Sequence, residues 1–384
     1  MKLLYVANLR LPTEKAYGIQ VVKMCESFAR AGAQVTLLVP SRNNSKISQD
    51  VFDYYGVQRI FQVKKLSTPD FYWPGALDRL AFWLKSMLSG WILARYASHA
   101  EADVIYSRDE PPLYILTFLN KSKKIFFEMH NFSDSRKVFY NRFKKLGIGI
   151  ITISAGLKEV LIKNCFSKEK VIIAHDGVDA SRIFDETSLP TNKDADRSKL
   201  NLPQDKKIVV YVGSFYERKG IYILADAAKI LGDEVLIVAL GGNEKELNRM
   251  KNYLDSNSIT NFKMIGYNVK EAAIYQSAAD VLVLPNTSRE KVSELYTSPL
   301  KLFSYMASRR PIVASDLPSL REVLSENNAI LVKPDSPSDL AMGIKKIISN
   351  PELANKLSTR AFTDVEEYTW DKRAEKILGF INIS

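Results

Sequence analysis

The sequence predicts an α/β protein with two facing Rossmann-like domains, each a doubly wound parallel sheet, and a cleft between them. Three observations support this prediction. Short apolar runs rich in β-formers alternate with helical patterns, which is typical of parallel sheets. A polar stretch without periodicity, residues 186–204, interrupts the alternation, which then starts again. The length of 384 residues is enough for two domains of ordinary size.

The N-terminal domain is predicted to cover residues 1–185. Its first elements are a buried strand at Leu3–Ala7 and a helix at Gly18–Ala31, which Gly32 ends in the position of a C-cap glycine. A second strand is predicted at Gln34–Val39. Helical stretches separate the later predicted strands, which are Val104–Tyr106, Ile125–Glu128, Ile148–Ile153 and Val171–Ala174.

Residues 186–204 are predicted to be a linker, and residues 205–367 the C-terminal domain. That domain begins with a strand at Lys207–Val212 and a helix from about Lys219 to Leu231. Residues 368–384 are predicted to form a helix that packs back on the N-terminal domain. The remaining predicted strands are Val235–Ala239, Phe262–Ile265, Val281–Leu284, Ile312–Ala314 and Ile330–Val332.

This architecture predicts where a ligand would bind. Ligands of doubly wound sheets bind at the carboxyl ends of the strands, and helix N-termini there present free N–H groups to anions. We therefore expect a phosphate-bearing ligand between the two domains.

Composition excludes several classes of protein. Hydrophobic residues make up 46% and charged residues 25%, which is ordinary for a globular chain. Cys25 and Cys165 cannot make a disulfide framework, and neither has a metal-ligand spacing. With three histidines in the chain, we expect no metal cofactor. The sequence shows neither a signal peptide nor an apolar run long enough to span a membrane, so we expect a cytoplasmic protein.

Positive charge is concentrated in the N-terminal half. Residues 1–190 contain 27 Lys and Arg against 18 Asp and Glu, whereas residues 191–384 contain 27 against 25. This asymmetry indicates an anionic partner. Nucleic acid is not expected, because the basic residues do not fall in a recognised nucleic-acid-binding module.

Two segments of the N-terminal half favour peripheral contact with an anionic membrane. Residues 71–96 combine Trp73, Trp83 and Trp91 with basic residues, and residues 136–145 contain five Lys and Arg in ten. The structural alternatives are a core helix for the first segment and a solvated helix face for the second.

Residues 286–322 are the most informative segment. Pro299 suits the first turn of a helix over residues 299–308, which makes Ser298 its predicted N-cap. Free N–H groups, a hydroxyl and Lys301 would then meet at one helix start, which is typical of an anion site. The alternative is an ordinary capped helix with a surface lysine.

At this segment the chain resembles family 4 of the retaining, nucleotide-sugar-dependent glycosyltransferases, which have the two-domain GT-B fold. Residues 298–307 (SPLKLFSYMA) and 311–318 (PIVASDLP) are similar to the family's donor-site helix and the strand after it. Four further pieces follow the family's order and extend the resemblance over nearly the whole chain. They are residues 12–20 (PTEKAYGIQ), 176–179 (DGVD), 213–220 (GSFYERKG) and 368–374 (YTWDKRA).

The resemblance implies a set of donor-binding residues. Lys219 matches the lysine that neutralises the donor diphosphate, and is also a catalytic candidate. Ser298, Pro299 and Lys301 match the phosphate end of the donor helix. Gly18 matches the glycine that lets the N-terminal loop approach the sugar diphosphate.

Other matches concern the N-terminal domain. His130 matches the histidine beside the transferred sugar and is the second catalytic candidate. Arg108 and Asp109 match a loop that faces the cleft on the acceptor side, although they could instead pair with each other. The implied activity is transfer of a sugar from a nucleoside-diphosphate sugar to a glycan or lipid-linked acceptor, without a metal.

The chain departs from the family pattern at a pair of glutamates. These positions are occupied by Tyr296 and Ser304, and the second glutamate normally binds the donor ribose. Glu294 is the nearest replacement in the loop. The departures leave two alternatives open, a non-catalytic GT-B partner subunit and a nucleotide-sugar 2-epimerase.

Overall fold

The computed structural model describes residues 1–42, 44, 47–119, 123–179, 181, 193–266 and 269–383. Backbone contacts divide the chain into two compact units. Unit 1 comprises Met1–Ile153, Leu157–His175 and Trp370–Ser384, and unit 2 comprises Ser154–Gly156 and Asp176–Thr369. Each unit is built on one parallel sheet, which confirms the predicted class of two Rossmann-like α/β domains.

Unit 1 contains a sheet of seven parallel strands. In chain order they are β1 (Lys2–Val6), β2 (Gln34–Pro40), β3 (Gln62–Leu66), β4 (Val104–Ser107), β5 (Lys124–Met129), β6 (Gly149–Thr152) and β7 (Val171–Ile173). Their order across the sheet is β3-β2-β1-β4-β5-β6-β7. Strand β3 was not predicted from the sequence, because this edge strand buries none of its side chains and therefore has no apolar run.

Helices cover the connections of the unit 1 sheet. They are α1 (Ala16–Arg30), α2 (Val51–Tyr55), α3 (Asp78–His99), α4 (Glu110–Leu119), α5 (Lys137–Lys145) and α6 (Ala155–Lys163). The C-terminal helix, Trp370–Ile383, also belongs to unit 1 and packs against α1. There, the Ser27 hydroxyl donates a hydrogen bond to Asp371 Oδ1 at 2.6 Å. None of the described helices is long and apolar enough to cross a membrane.

Unit 2 contains a sheet of six parallel strands in the order β10-β9-β8-β11-β12-β13. The strands are β8 (Lys207–Val212), β9 (Val235–Leu240), β10 (Phe262–Ile265), β11 (Val281–Leu284), β12 (Ile312–Ser315) and β13 (Ile330–Val332). All six were predicted within one residue of their ends. Two buried apolar clusters form the core of this unit.

The helices of unit 2 begin inside the predicted linker. They are α7 (Lys193–Lys199), α8 (Ile221–Leu231), α9 (Glu244–Ser256), α10 (Val269–Ala278), α11 (Lys291–Glu294), α12 (Leu300–Ala307), α13 (Pro318–Arg321), α14 (Pro337–Ile348) and α15 (Pro351–Asp364). In α7, the buried Arg197 donates from Nη2 to Asp280 Oδ2 at 2.5 Å. Residues 193–199 are therefore an element of unit 2, while residues 186–192 of the predicted linker lie outside the described residues.

Candidate functional site

Two glycines bring the loops after β8 and β9 close together in unit 2. Gly213 follows β8 with φ +150°, and Gly241 follows β9 with φ +142°. A Cβ on Gly241 would lie 1.8 Å from the Gly213 carbonyl oxygen, so a side chain there would collide with the backbone. A Cβ on Gly213 would lie 3.5 Å from Lys301 Nζ. This strand end therefore leaves space directly beside the lysine ammonium.

Lys301 carries a buried charge in the first turn of α12. Its Nζ lies 4.0 Å from the centre of the Tyr211 ring and has no hydrogen-bond partner among the described residues. Burial, followed by the nearby charge of Lys219, holds the pKa of Lys301 well below its ordinary value. A buried ammonium without a partner is unfavourable, so a bound anion would stabilise this arrangement.

Lys219 supplies the second positive charge. It ends a short 3₁₀ helix, Glu217–Lys219, and is followed by Gly220 at φ +73°, the N-cap of α8. A Cβ on Gly220 would lie 1.6 Å from the Pro285 carbonyl oxygen, so glycine is required there. Burial and the charge of Arg218 lower the pKa of Lys219 to about 8, with a smaller opposing effect from Glu290. The structure thus brings the two predicted phosphate lysines together.

The predicted N-cap at Ser298 is wrong. Helix α12 begins at Leu300, and the extended Pro299 is its N-cap without a side-chain cap. The Ser298 hydroxyl instead accepts a hydrogen bond from the Asp176 backbone N–H at 3.0 Å. The serine therefore fixes the start of the Asp176–Asp179 segment rather than the helix terminus.

The two residues proposed near the donor ribose lie on different helices. Ser304 is half-buried on α12, one turn after Lys301, and its hydroxyl donates to the Lys301 carbonyl oxygen at 3.0 Å. Glu294 is half-buried at the end of α11, and Tyr296 is buried two residues later. Ser304 is thus placed directly beside the lysine pair by its own helix.

In unit 1, His130 contacts a buried carboxylate just after β5. His130 Nε2 lies 2.5 Å from Glu128 Oε1, and Glu128 is fully buried. Burial and the charge of Arg108 lower the pKa of His130 to about 4. The ring is therefore neutral at pH 7. Because an ionised Glu128 can only accept, the ring proton is on Nε2 and Nδ1 is a hydrogen-bond acceptor.

Glu128 remains ionised because cationic and polar groups surround it. Burial alone would raise the pKa of Glu128, but the Arg373 guanidinium and the His130 hydrogen bond hold it well below its ordinary value. Arg373 Nη2 lies 2.9 Å and Gln20 Nε2 2.7 Å from Oε1, and the Tyr106 hydroxyl donates to Oε2.

Arg373 and Glu128 were not among the predicted site residues. Arg373 also donates from Nε to the His175 carbonyl oxygen at 2.8 Å, which ties the C-terminal helix to the chain after β7. One feature of the sequence could have identified both residues, because each is a charged residue on the apolar side of its strand or helix. Glu128 stands in the apolar strand β5, and Arg373 is buried among apolar residues of the C-terminal helix.

Arg108 and Asp109 are bonded to different groups. Arg108 Nη1 donates to Gln20 Oε1 at 2.8 Å, and the guanidinium carbon lies 4.0 Å from the centre of the Tyr17 ring. Asp109 Oδ2 accepts from the Asn8 backbone N–H at 2.7 Å and from the Tyr17 hydroxyl at 2.5 Å. Burial raises the pKa of Asp109. Tyr17 therefore joins the two side chains.

Gly18 lies in the first turn of α1, where it permits close packing. A Cβ at this position would lie 2.2 Å from Tyr55 Oη and 2.6 Å from Thr13 Cγ2. The Tyr55 hydroxyl accepts from the Thr13 N–H at 2.9 Å and donates to the Thr13 carbonyl oxygen at 2.8 Å. A structural requirement thus accounts for this glycine, and its implied approach to a donor remains a prediction.

Comparison with known proteins shows which proteins this chain is similar to. Residues 192–364 match the family model described as glycosyl transferases group 1. An uncharacterized glycosyltransferase of Methanocaldococcus jannaschii is 23% identical over 225 residues, which are 58% of this chain and 56% of the relative. A Bacillus subtilis protein, provisionally named a teichuronic acid biosynthesis glycosyltransferase, is 28% identical over 170 residues, 43% of this chain and 40% of the relative. The chain thus spans about half the length of these relatives.

Solved structures of similar fold cover the whole chain. Anabaena HepE, crystallised in complex with UDP-glucose, superposes with a TM-score of 0.77 at 15% identity and covers 100% of both chains. A sucrose-phosphate synthase from Thermosynechococcus elongatus gives a TM-score of 0.77 at 18% identity, covering 100% of this chain and 98% of the other. At such identities the likeness shows the fold, which is GT-B. Residues 192–364 of this chain are thus similar to the glycosyl transferases of group 1.

Proposed function

We propose that this protein transfers a glycosyl group, with retention of configuration, from a nucleoside-diphosphate sugar to a glycan or lipid-linked acceptor. The proposed setting is surface polysaccharide or glycolipid biosynthesis. One observation carries the proposal. The buried ammonium of Lys301 has no hydrogen-bond partner among the described residues, and the positive charge of Lys219 is near it. The match of residues 192–364 to the family model supports it, as does the Bacillus relative, which is named for teichuronic acid biosynthesis.

A diphosphate suits the lysine pair because its charge is opposite and spread over several oxygens. Burial disfavours both ammonium groups, and a neighbouring positive charge adds to this effect, Arg218 for Lys219 and Lys219 for Lys301, as their lowered pKa values indicate. A phosphate oxygen would give Lys301 the hydrogen-bond acceptor that it lacks, and a charge-assisted bond of this kind is stronger than a neutral one. The bound UDP-glucose in HepE is a ligand of this chemical class.

The proposed reaction breaks the bond between the anomeric carbon and the donor phosphate oxygen. Negative charge then develops on the leaving diphosphate, where Lys219 and Lys301 would stabilise it. The acceptor hydroxyl forms the new bond on the same face of the sugar, and its proton passes to the leaving phosphate. Because the lysines provide the positive charge, we expect transfer to persist in the presence of EDTA.

Residues of unit 1 are proposed to orient the sugars. The neutral His130 offers Nδ1 as an acceptor for a sugar hydroxyl, while its Nε2 is held by Glu128. Arg108 and Asp109 are the proposed acceptor-side residues, and Tyr17 fixes their positions.

Titration calorimetry with UDP, GDP and ADP tests the donor site. Replacing Lys219 or Lys301 by Ala should weaken binding by about 1.5–3 kcal/mol, the range for a hydrogen bond to a charged group. Lys229→Ala is the matched control, because Lys229 is an exposed lysine near the other end of α8. Equal affinities of the wild type and both site variants for every nucleotide would refute the proposed donor site.

A transfer assay separates an enzyme from a non-catalytic subunit. The first donor to test is UDP-glucose, with simple glycosides and lipid-linked sugars as acceptors, and proton NMR of the product gives the anomeric configuration. Retained configuration supports the proposal, and an inverted product contradicts it. Tight nucleotide binding without transfer to any acceptor would favour the partner-subunit alternative.

A further inference from the structure

Helix α3 presents its large apolar side chains to solvent. We call the exposed large apolar side chains of this helix the apolar face, and two of them, Phe82 and Trp83, are 62% and 49% exposed. An ordinary surface helix turns such residues toward the core. The apolar face consists of Leu80, Phe82, Trp83, Leu84, Met87, Leu88 and Trp91.

The opposite side of α3 faces the protein with small and polar residues. Leu93 is the one large apolar side chain among the residues of α3 that are buried. A Cβ on Gly90 would lie 3.3 Å from the Pro112 backbone nitrogen, so the small side chains allow α3 to lie close against the start of α4. The buried residues are Ala81, Lys85, Ser89, Gly90, Leu93, Ala94 and Ala97.

Hydrogen bonds set the rotation of α3 about its axis. The Ser89 hydroxyl accepts from Arg42 Nη2 at 2.7 Å. The Ser86 carbonyl oxygen accepts from Asn8 Nδ2 at 3.1 Å. The Lys85 ammonium lies 3.1 Å from Asp70 Oδ1. Turning the apolar face inward would break all three interactions and bury polar groups without partners, so the exposure is built into the fold.

The charges around the apolar face have one predominant sign. Lys85 is the one charged residue between Arg79 and Arg95, and it is buried. Exposed arginines thus flank the face at both ends, with Asp78 beside Arg79 as the acidic neighbour. Helix α4 contacts both α3 and α5, and α5 carries the exposed Lys137, Lys144 and Lys145.

We propose that the apolar face inserts into the interfacial region of an anionic lipid bilayer, with Arg79, Arg95 and the lysines of α5 on the lipid phosphates. Tryptophans prefer this interfacial depth, and basic residues at the ends of an apolar stretch extend to the headgroups. A second copy of the chain fits less well, because its arginines would meet those of the first copy. The proposal does not depend on sugar transfer and would hold for a non-catalytic chain.

Vesicle binding by the full chain tests the proposal. We would mix the protein with vesicles of phosphatidylcholine alone and of phosphatidylcholine with phosphatidylglycerol, then measure co-sedimentation and tryptophan emission. Of the four tryptophans, Trp73, Trp83 and Trp91 are exposed, whereas Trp370 is only 4% exposed. We expect sedimentation with the anionic vesicles, release at high salt, a blue shift of emission, and quenching by brominated acyl chains.

Variants locate the contact. The double variant Phe82→Ser and Trp83→Ser should lower partitioning into anionic vesicles by roughly tenfold or more, since each buried apolar group contributes to interfacial binding. Arg79→Gln with Arg95→Gln should weaken binding to anionic vesicles and reduce its salt dependence. Met342→Ser removes an exposed apolar side chain from α14 of unit 2 and should change nothing. Equal melting temperatures would show that the α3 variants fold.

Three results would overturn the proposal. The folded wild-type chain could stay in the supernatant with anionic vesicles at low salt. Binding could persist unchanged in the double serine variant. Sedimentation velocity could show a dimer without lipid that the double serine variant abolishes, which would assign the apolar face to a second copy of the chain.

Discussion

The guanidinium of Arg373 lies 2.9 Å from the buried carboxylate of Glu128, although 245 residues separate them in the sequence. Gln20 and His130 bond the same oxygen, so one carboxylate joins α1, β5 and the C-terminal helix of unit 1. The charge of Arg373 is what allows Glu128 to stay ionised while fully buried. The C-terminal helix is therefore required for the arrangement around His130.

Replacing Arg373 by Met should lower the unfolding free energy of unit 1 by about 3–5 kcal/mol, because it leaves a buried carboxylate without its counter-charge. Arg59→Met is the control in the same unit, since the ion pair between Arg59 and Asp53 is exposed and contributes little to stability. All four tryptophans lie in unit 1, so tryptophan fluorescence during urea unfolding reports this unit. A loss as small as that of the control would contradict the assigned role of Arg373.

The stability of unit 1 should fall as the pH drops from about 6.5 to about 4. An unfolded chain protonates its histidine near pH 6.5, whereas burial keeps the pKa of folded His130 at about 4. The unfolded state therefore binds more protons in this range and is favoured by acid. His130→Gln should reduce this slope, measured by urea unfolding at several pH values. An unchanged slope would mean that His130 does not titrate as described.

Nucleotide-diphosphate binding should weaken above about pH 8. The pKa of Lys219 is about 8 in the free protein, and a bound anion would raise it, so binding takes up a proton at higher pH. Deprotonation of Lys219 should thus lower the affinity by up to tenfold per pH unit above pH 8. Titration calorimetry in buffers of different ionisation enthalpy measures the proton uptake. In Lys219→Ala the part of this decline that comes from the deprotonation of Lys219 should disappear.

Gly220→Ala should destabilise unit 2 more than Gly232→Ala. Both glycines have left-handed φ angles, +73° and +77°, which cost other residues about 1–3 kcal/mol. A Cβ on Gly220 would also collide with the Pro285 carbonyl oxygen at 1.6 Å, whereas nothing lies within 4 Å of a Cβ on Gly232. Calorimetric melting and UDP binding compare the two variants. Equal effects on both measurements would show that Gly220 does not position Lys219.

Ser304→Glu should tighten the binding of nucleoside diphosphates but not of inorganic pyrophosphate. A carboxylate at this position could accept a ribose hydroxyl, which is worth about 1.5–3 kcal/mol for a charged acceptor. Ser338→Glu, an exposed change on α14, is the control. If UDP and pyrophosphate changed affinity equally in Ser304→Glu, the effect would come from the phosphates, and Glu294 would become the first candidate for the ribose contact.

Local pattern was sufficient for most of the fold. Strands that bury an apolar run, such as β1 and β8, were found because burial on both faces of a parallel sheet demands continuous apolar residues. Strand β3 was missed because an edge strand has no such demand. Helix α7 was missed because its polar residues are buried through pairs such as Arg197 and Asp280, which a composition-based prediction of a linker cannot detect.

The candidate site was predictable where a residue acts through its own segment, and not where it acts through a distant one. The sequence by itself determined two parallel α/β sheets, because each predicted strand is a local apolar run, and its resemblance to a known family predicted Lys219, Lys301 and His130 as site residues. Tertiary structure decided that the charge of Arg373 keeps Glu128 ionised, and the ionised Glu128 in turn fixes the tautomer of His130. It also decided that α3 turns Trp83 outward, because Arg42 and Asn8 bond the polar side of that helix. Burial and charge pairing across hundreds of residues set these features, and no local spacing encodes them.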